Sequence, residues 1–316
     1  MPGEGIARHA AQVEASETSL LAANRRGIIL MSSAMSVFIV NDMLIKIVGE
    51  SLPASQVIGL RGLMASLWIG AVMLASTPVR ELGGLAEPRL LTRCVLDVIG
   101  TFTYIWALFA LPIATATAIN MSTPIFITVL AVLWLRESVG WRRWSAVVVG
   151  FLGVLLIVRP SPEGLNWWAL LAFGATGVHA FRDVYTRRIP GDMPSIVITF
   201  ANALSVGLFG CAMALVEAWQ PMDWRQWAYL GVASLFLAIG YQCVVMAMRA
   251  GEASVIGAFR YSGLVWAVII GWAVWGHIPD PLTWSGMALL VGAGLYIVHR
   301  ERARARATVE RKSGAS

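Results

Sequence analysis

Between Asp97 and Arg136 the chain runs 38 residues without a charged side chain. As one helix that stretch would be about 57 Å long at 1.5 Å per residue, nearly twice a bilayer core of roughly 30 Å. A single soluble core has no use for so much hydrocarbon, whereas a lipid-facing bundle needs it. The stretch therefore predicts two membrane-crossing helices joined by a tight turn. Pro112 marks the turn, since proline is tolerated in the first turn of a new helix.

The rest of the chain follows suit. Of its 316 residues 58% are apolar and 13% charged, where a soluble domain would carry about 25% charged. The first 26 residues are polar and end in Arg25-Arg26. The apolar run behind them, about 27–48, is too long for a signal-peptide core and lacks a convincing cleavage site, so it is read as a retained first helix. Further helices are expected near 54–76, 90–111, 112–135, 141–159, 165–188, 194–217, 225–248, 253–276 and 282–299, each approaching the roughly 20 residues a span needs. The fold class is all-α integral membrane, with ten transmembrane helices.

Lysine and arginine set the orientation. With both ends cytoplasmic, 19 of the 24 basic residues lie inside, including Arg182, Arg187 and Arg188 and six in the terminal tail; Lys46, Arg159 and Arg225 stay outside, and Arg61 and Arg260 fall within spans. That split favours ten helices with both termini inside a bacterial inner membrane. The net charge of +6 does not point to nucleic acid, because the aromatic residues lie in apolar runs and not among the basic ones. Cys94, Cys211 and Cys243 are isolated, with no metal or disulfide spacing, and no metal or cofactor is expected.

The chain repeats weakly. Gly153-Val-Leu-Leu-Ile-Val-Arg159 parallels Gly294-Leu-Tyr-Ile-Val-His-Arg300, Trp144-Ser145 parallels Trp284-Ser285, and Ala114-Thr115 parallels Ala253-Ser254. Five helices per half means that the halves insert in opposite senses, an arrangement typical of secondary transporters with a midplane site. The organisation predicted is a cytoplasmic tail (1–26), a first repeat (27–159), a second repeat (160–300) and a basic tail (301–316).

On these features the chain resembles the drug/metabolite transporter superfamily, and within it the ten-helix proteins built from two EamA domains. Pro53, Gln56 and Arg61 fit the family's proline, acidic residue and arginine, with Gln56 in place of glutamate. Ala118, Pro124, Leu135 and Glu137 fit its fourth-helix pattern, with Arg136 where glycine is common, and Gly150 and Gly153 fit the glycines of the fifth helix. The second half departs further, with Gly263 in the proline position and His277 near that of the glutamate. The resemblance implies an EamA fold and metabolite transport. Asp183…Arg187-Arg188-Ile189-Pro190, Gly294-Leu295-Tyr296 and Arg300-Glu301-Arg302 resemble the bacterial subgroup of riboflavin and S-adenosylmethionine carriers.

Ionisable groups inside spans face a cavity or a partner. Asp42 and Lys46 share one face of helix 1, at a depth similar to Arg61. They read either as an ion-pair cluster that orients helices 1 and 2, or with Asp42 as a coupling or cation site beside Asn41. On helix 3, Asp97, Thr101 and Tyr104 form a polar stripe, and helix 4 offers Thr117, Asn120 and Pro124 at helical spacing. Pro124 frees a carbonyl one turn back, which favours a kink beside a cavity. Interhelical glue at about 0.6 kcal/mol per bond explains the same groups equally well.

Arg260, about 10 Å deep by helical rise, is expected to meet Asp97, with His179 and Asp183 at the same level. Such a cluster either binds solute or locks the inner side. The substrate-binding set is thus Asp97, Thr101, Tyr104, Asn120, His179, Arg260 and Tyr261, and the coupling or gating set is Asp42, Asp97, Asp183 and Arg260. Ten of the 14 tryptophans sit near span ends as an aromatic belt. Tyr104, Trp106, Phe259 and Tyr261 are positioned to stack on a flat solute. Gly150/Gly153 and Gly292/Gly294 give helices 5 and 10 small packing faces, and a homodimer stays open alongside.

No Walker A loop, HExxH or GxSxG occurs, so neither a primary pump nor a hydrolase is expected, and minimal loops count against a receptor or scaffold. The function expected is secondary transport of a small organic solute by alternating access. A flat or nucleoside-like metabolite leads, and export of amino acids or related metabolites is the alternative.

Overall fold

The computed structural model describes residues 2–78, 84–133, 141–158, 166–190, 193–250 and 259–313. Leu135, Arg136, Glu137 and Ala253-Ser254, used above, lie outside these residues. The helices are α1 (Pro2–Gly49), α2 (Ala54–Ser76), α3 (Pro88–Ala110), α4 (Ile113–Asn120), α5 (Thr123–Leu133), α6 (Trp141–Val158), α7 (Trp167–Tyr185), α8 (Ser195–Ala212), α9 (Trp224–Ala250), α10 (Ser262–Trp275) and α11 (Pro281–Ser313). With α4 and α5 as two pieces of one span, these make ten spans, and no strand occurs among the described residues. Among the described residues six segments, from Ala22–Gly49 to Trp224–Val244, are long and apolar enough to cross a membrane.

Two boundaries differ from expectation. α1 begins at Pro2 and α11 continues to Ser313, so the end helices run past the expected spans into the polar N-terminal and basic C-terminal flanks. Both flanks are rich in Ala, Glu and Arg, which favour helix on their own. The fourth span breaks at Met121-Ser122, between α4 and α5. Pro124 lacks the N–H that would bond the Asn120 carbonyl, and that carbonyl instead accepts from Thr123 Oγ1 at 2.6 Å.

Packing reveals the relation between the halves. α1 lies along α9 and α3 along α7, two pairs that exchange when the first five spans are swapped with the last five. α2 packs on α8, α6 on α11 and α4 on α10, each against its own counterpart. A two-fold relation between oppositely inserted repeats produces this pattern. Phe38 and His179, Asp42 and Asp183, Pro53 and Pro194, and Gly153 and Gly294 all stand at the same separation along the chain, which fixes the register of the repeat.

Glycines set the central crossings. A Cβ built on Gly62 would lie 2.7 Å from Gly207 Cα, and one on Gly59 2.9 Å from the Gly210 carbonyl carbon, so α2 and α8 meet backbone to backbone. Between α6 and α11, Gly153 faces the Gly286 carbonyl oxygen (2.7 Å from a built Cβ) and Gly150 faces Ala293. Gly292 faces open space, and Gly294 makes room for the Tyr261 ring. The expected small face of the tenth span is therefore carried by Ala293 and by Gly286, the latter six residues nearer its start than Gly292.

Lys46 does not join an ion-pair cluster with Asp42 and Arg61. Its Nζ donates to the carbonyls of Leu108 (2.6 Å), Phe109 (3.0 Å) and Leu111 (2.7 Å), capping α3. The last carbonyls of a helix have no partner within it and carry its negative dipole end, so a lysine there is satisfied without a carboxylate.

Candidate functional site

A cavity of about 280 Å³ lies between the two halves, near the low end of the roughly 300–1,000 Å³ usual for small-molecule sites. α1 contributes Phe38, Asn41 and Asp42, α2 contributes Arg61, and α3 contributes Thr101 and Tyr104. The broken fourth span supplies Thr117, Asn120 and Pro124. From the second half come His179, Arg182 and Asp183 on α7, Tyr241 on α9, and Arg260 and Tyr261. Arg260 and Tyr261 belong to a 3-10 turn, Phe259–Tyr261, that runs directly into α10 in the ninth span. Both fourth helices, one per repeat, are thus irregular where they meet the cavity. Interrupted helices in corresponding positions are the usual mark of a transporter binding site, because non-helical backbone is tolerated there only when it lines a cavity.

One pole of the cavity is built around Asp42. Asn41 Nδ2 donates to Asp42 Oδ1 at 2.9 Å, and the Tyr104 hydroxyl donates to Oδ2 at 3.3 Å. Arg61, 6% exposed, reaches Asn41 Oδ1 through Nη1 at 3.4 Å. These groups come from three helices, so the pole ties α1, α2 and α3 together at the cavity wall.

The other pole corrects the expected pairing. Asp97, 4% exposed, is not a lining residue; it sits behind the wall and is paired with Arg182 Nη1. Arg182 Nη2 also meets Asp183 Oδ1 at 2.8 Å, so one guanidinium bridges two carboxylates on α3 and α7. Arg260 is exposed and makes no ion pair with a described residue. The reason is the packing order: Asp97 lies on α3, which runs along α7, whereas the turn holding Arg260 packs against α1. The sequence presents Arg182 as one of the inside basic residues that set orientation; its spacing one turn after His179, on the same face, is the signal that it points inward.

Of the remaining expected residues, Asp42, Thr101, Tyr104, Asn120, His179, Asp183, Arg260 and Tyr261 share the cavity lining. His179 has its space because α3 carries glycine opposite it: a Cβ on Gly100 would lie 2.6 Å from His179 Nε2. Two of the stacking candidates fall elsewhere. Trp106 is 44% exposed with its ring against Phe102, and Phe259 is 37% exposed; neither lines the cavity. The deep tryptophans Trp68, Trp266 and Trp272 are likewise exposed on outer faces. Aromatic lining comes instead from Tyr104, Tyr261, Tyr241 and Phe38, the last two in edge contact at 5.4 Å.

The comparisons agree with this architecture. The model of the EamA-like transporter family matches residues 25–159 and again 166–299. A riboflavin transporter of Vibrio cholerae is 31% identical over 68% of this chain and 73% of its own. A pseudopaline exporter of Pseudomonas aeruginosa is 25% identical over 85% of this chain and 94% of its own. A solved crystal structure superposes with a TM-score of 0.59 over 91% of this chain and 98% of its own, at 16% identity, a likeness of fold alone. Two family matches, one to each half of a ten-span bundle around a shared cavity, lead to one assignment: the chain belongs to the EamA-like transporter family and is a membrane transporter of small metabolites.

Proposed function

We propose that the protein is a secondary transporter that moves a planar, ring-bearing metabolite of the riboflavin type through the cavity between its repeats. In this reading it resides in the bacterial inner membrane with both termini cytoplasmic, and access alternates between the two ends of the cavity. The observation that carries the reading is the lining itself. Three tyrosine rings (Tyr104, Tyr241 and Tyr261) stand among a few placed polar groups, which is the composition of a pocket for a flat solute with a polar edge. The Vibrio cholerae riboflavin transporter among its relatives supports the same class.

Asp97, Thr101, Tyr104, Asn120, His179, Arg260 and Tyr261 are the proposed recognition groups, with Asp97 acting through Arg182. Asp42, Asp183 and Arg260 are proposed to sense the transport step. A second reading, export of an amino-acid-derived metabolite, is favoured by Asp183 and Arg260 in one lining, a complement to an amine and a carboxylate.

The test is flux of riboflavin and of amino acids in proteoliposomes, with and without a proton gradient. Stacking of a ring on an aromatic is worth about 1–3 kcal/mol. Tyr261→Leu should therefore weaken riboflavin binding roughly 5- to 150-fold at 1.4 kcal/mol per decade. Trp106→Leu should leave it unchanged, because Trp106 lies outside the cavity. Riboflavin flux absent from wild-type vesicles that carry an amino acid would replace the first reading with the second.

A further inference from the structure

Two buried polar atoms of the cavity-lining residues have no hydrogen-bond partner, Arg61 Nε and Thr117 Oγ1. Arg61 is 6% exposed and Thr117 1%. A guanidinium has five N–H donors, and the one hydrogen bond that Arg61 makes among the described residues is the long contact to Asn41. Thr117 lies beside the Tyr104 hydroxyl without reaching hydrogen-bonding geometry. Folded chains pair nearly all such buried groups, and those that stay unpaired call for a partner from outside the chain. Both of these lie at the pole built by α1, α2, α3 and α4, where the Tyr104 ring forms a wall.

We propose that Arg61, through Nε and an adjacent Nη, together with the Thr117 hydroxyl, binds a neutral edge of the solute that presents two adjacent acceptors: a ring carbonyl beside a ring nitrogen. The guanidinium is a planar fork of parallel donors, and it pairs with such an edge as arginine does with O6 and N7 of guanine. Charge decides against a carboxylate at this place. Asp42 already balances Arg61, and both oxygens of Asp42 are held by Asn41 and Tyr104. A neutral edge leaves the pole neutral, whereas a carboxylate would add an uncompensated charge within the membrane, where such charges are costly. The inference rests on the planar-solute reading above and deepens it by assigning which edge of the ring is read.

The test uses the full-length protein in lipid nanodiscs, with binding followed by riboflavin fluorescence and by competition with guanosine and adenosine. Guanosine offers two adjacent acceptors, while adenosine offers one acceptor beside a donor. Guanosine should displace riboflavin at a concentration about 5- to 150-fold lower than adenosine, the range that one bidentate pair discriminates. Arg61→Lys keeps the charge and removes the fork; it should lower riboflavin affinity within the same range and erase the preference for guanosine. Thr117→Val, close in shape, should lower affinity by less.

Equal competition by the two nucleosides in the wild type overturns the inference even where Arg61→Lys fails to accumulate. Unchanged riboflavin affinity in a folded Arg61→Lys protein overturns it too, while leaving the planar-solute reading intact. Wild-type protein that binds amino acids but neither riboflavin nor guanosine overturns both together.

Discussion

Arg182 and Arg260 carry the same guanidinium, and the chain treats them differently because of where their backbones run. Arg182 sits on α7 beside α3 and neutralises Asp97 at 4% exposure; Arg260 sits in a turn at the cavity and stays exposed. Removing one partner of a buried ion pair leaves an uncompensated charge, at a cost of roughly 3–5 kcal/mol. Asp97→Asn should therefore lower the thermal unfolding temperature in detergent, and Arg260→Gln should leave it unchanged while reducing transport. Asp97→Arg combined with Arg182→Asp should restore stability if the pair only ties α3 to α7. Equal unfolding temperatures for Asp97→Asn and wild type would remove the ion pair from the structural account. In the sequence, the depth and charge of Asp97, His179 and Asp183 were legible. Which arginine answers Asp97 was not, because helical spacing fixes a residue's face and not the neighbour opposite it.

At the scale of the helices, small residues decide how closely the halves approach. Gly59 and Gly62 on α2 meet Gly210 and Gly207 on α8 in backbone contact. The motif is repeated as Gly59-Leu-Arg-Gly62 and Gly207-Leu-Phe-Gly210, a signal present in the sequence that the broader pattern of spans concealed. Gly62→Val or Gly207→Val should force the crossing apart and destabilise the protein by about 1–3 kcal/mol, the usual cost of overpacking. Gly292→Val, facing open space, should be close to neutral. Thermal unfolding of the three variants side by side checks this, and a Gly62→Val protein as stable as Gly292→Val would refute the crossing. The break in the fourth span was legible from Pro124, since a missing N–H is a local fact. The turn at Phe259–Tyr261 contains no proline, and nothing local in the sequence marks it.

At the scale of the whole molecule, orientation is a statement about where basic residues fall relative to the membrane. In a chain without Cys94, Cys211 and Cys243, Glu163→Cys and Asp280→Cys should react with an impermeant thiol reagent added to intact cells, and Gly140→Cys should not. Labelling of position 140 from outside would invert the assignment. The sequence by itself determined the ten spans, the breaks forced by proline, the two-repeat plan and the set of polar residues held in hydrocarbon. Each of these follows from composition and short-range spacing, because every span must satisfy its own backbone hydrogen bonds within lipid. Tertiary structure decided the rest: that α1 pairs with α9 and α3 with α7, that Lys46 caps α3, that Trp106 faces outward while Tyr241 faces inward, and that Arg61 and Thr117 share one wall. Those facts depend on which helix lies against which. Lipid is as apolar as a leucine side chain, so hydrophobicity cannot select a helix's neighbour; close fit of glycines and pairing of buried charges select it.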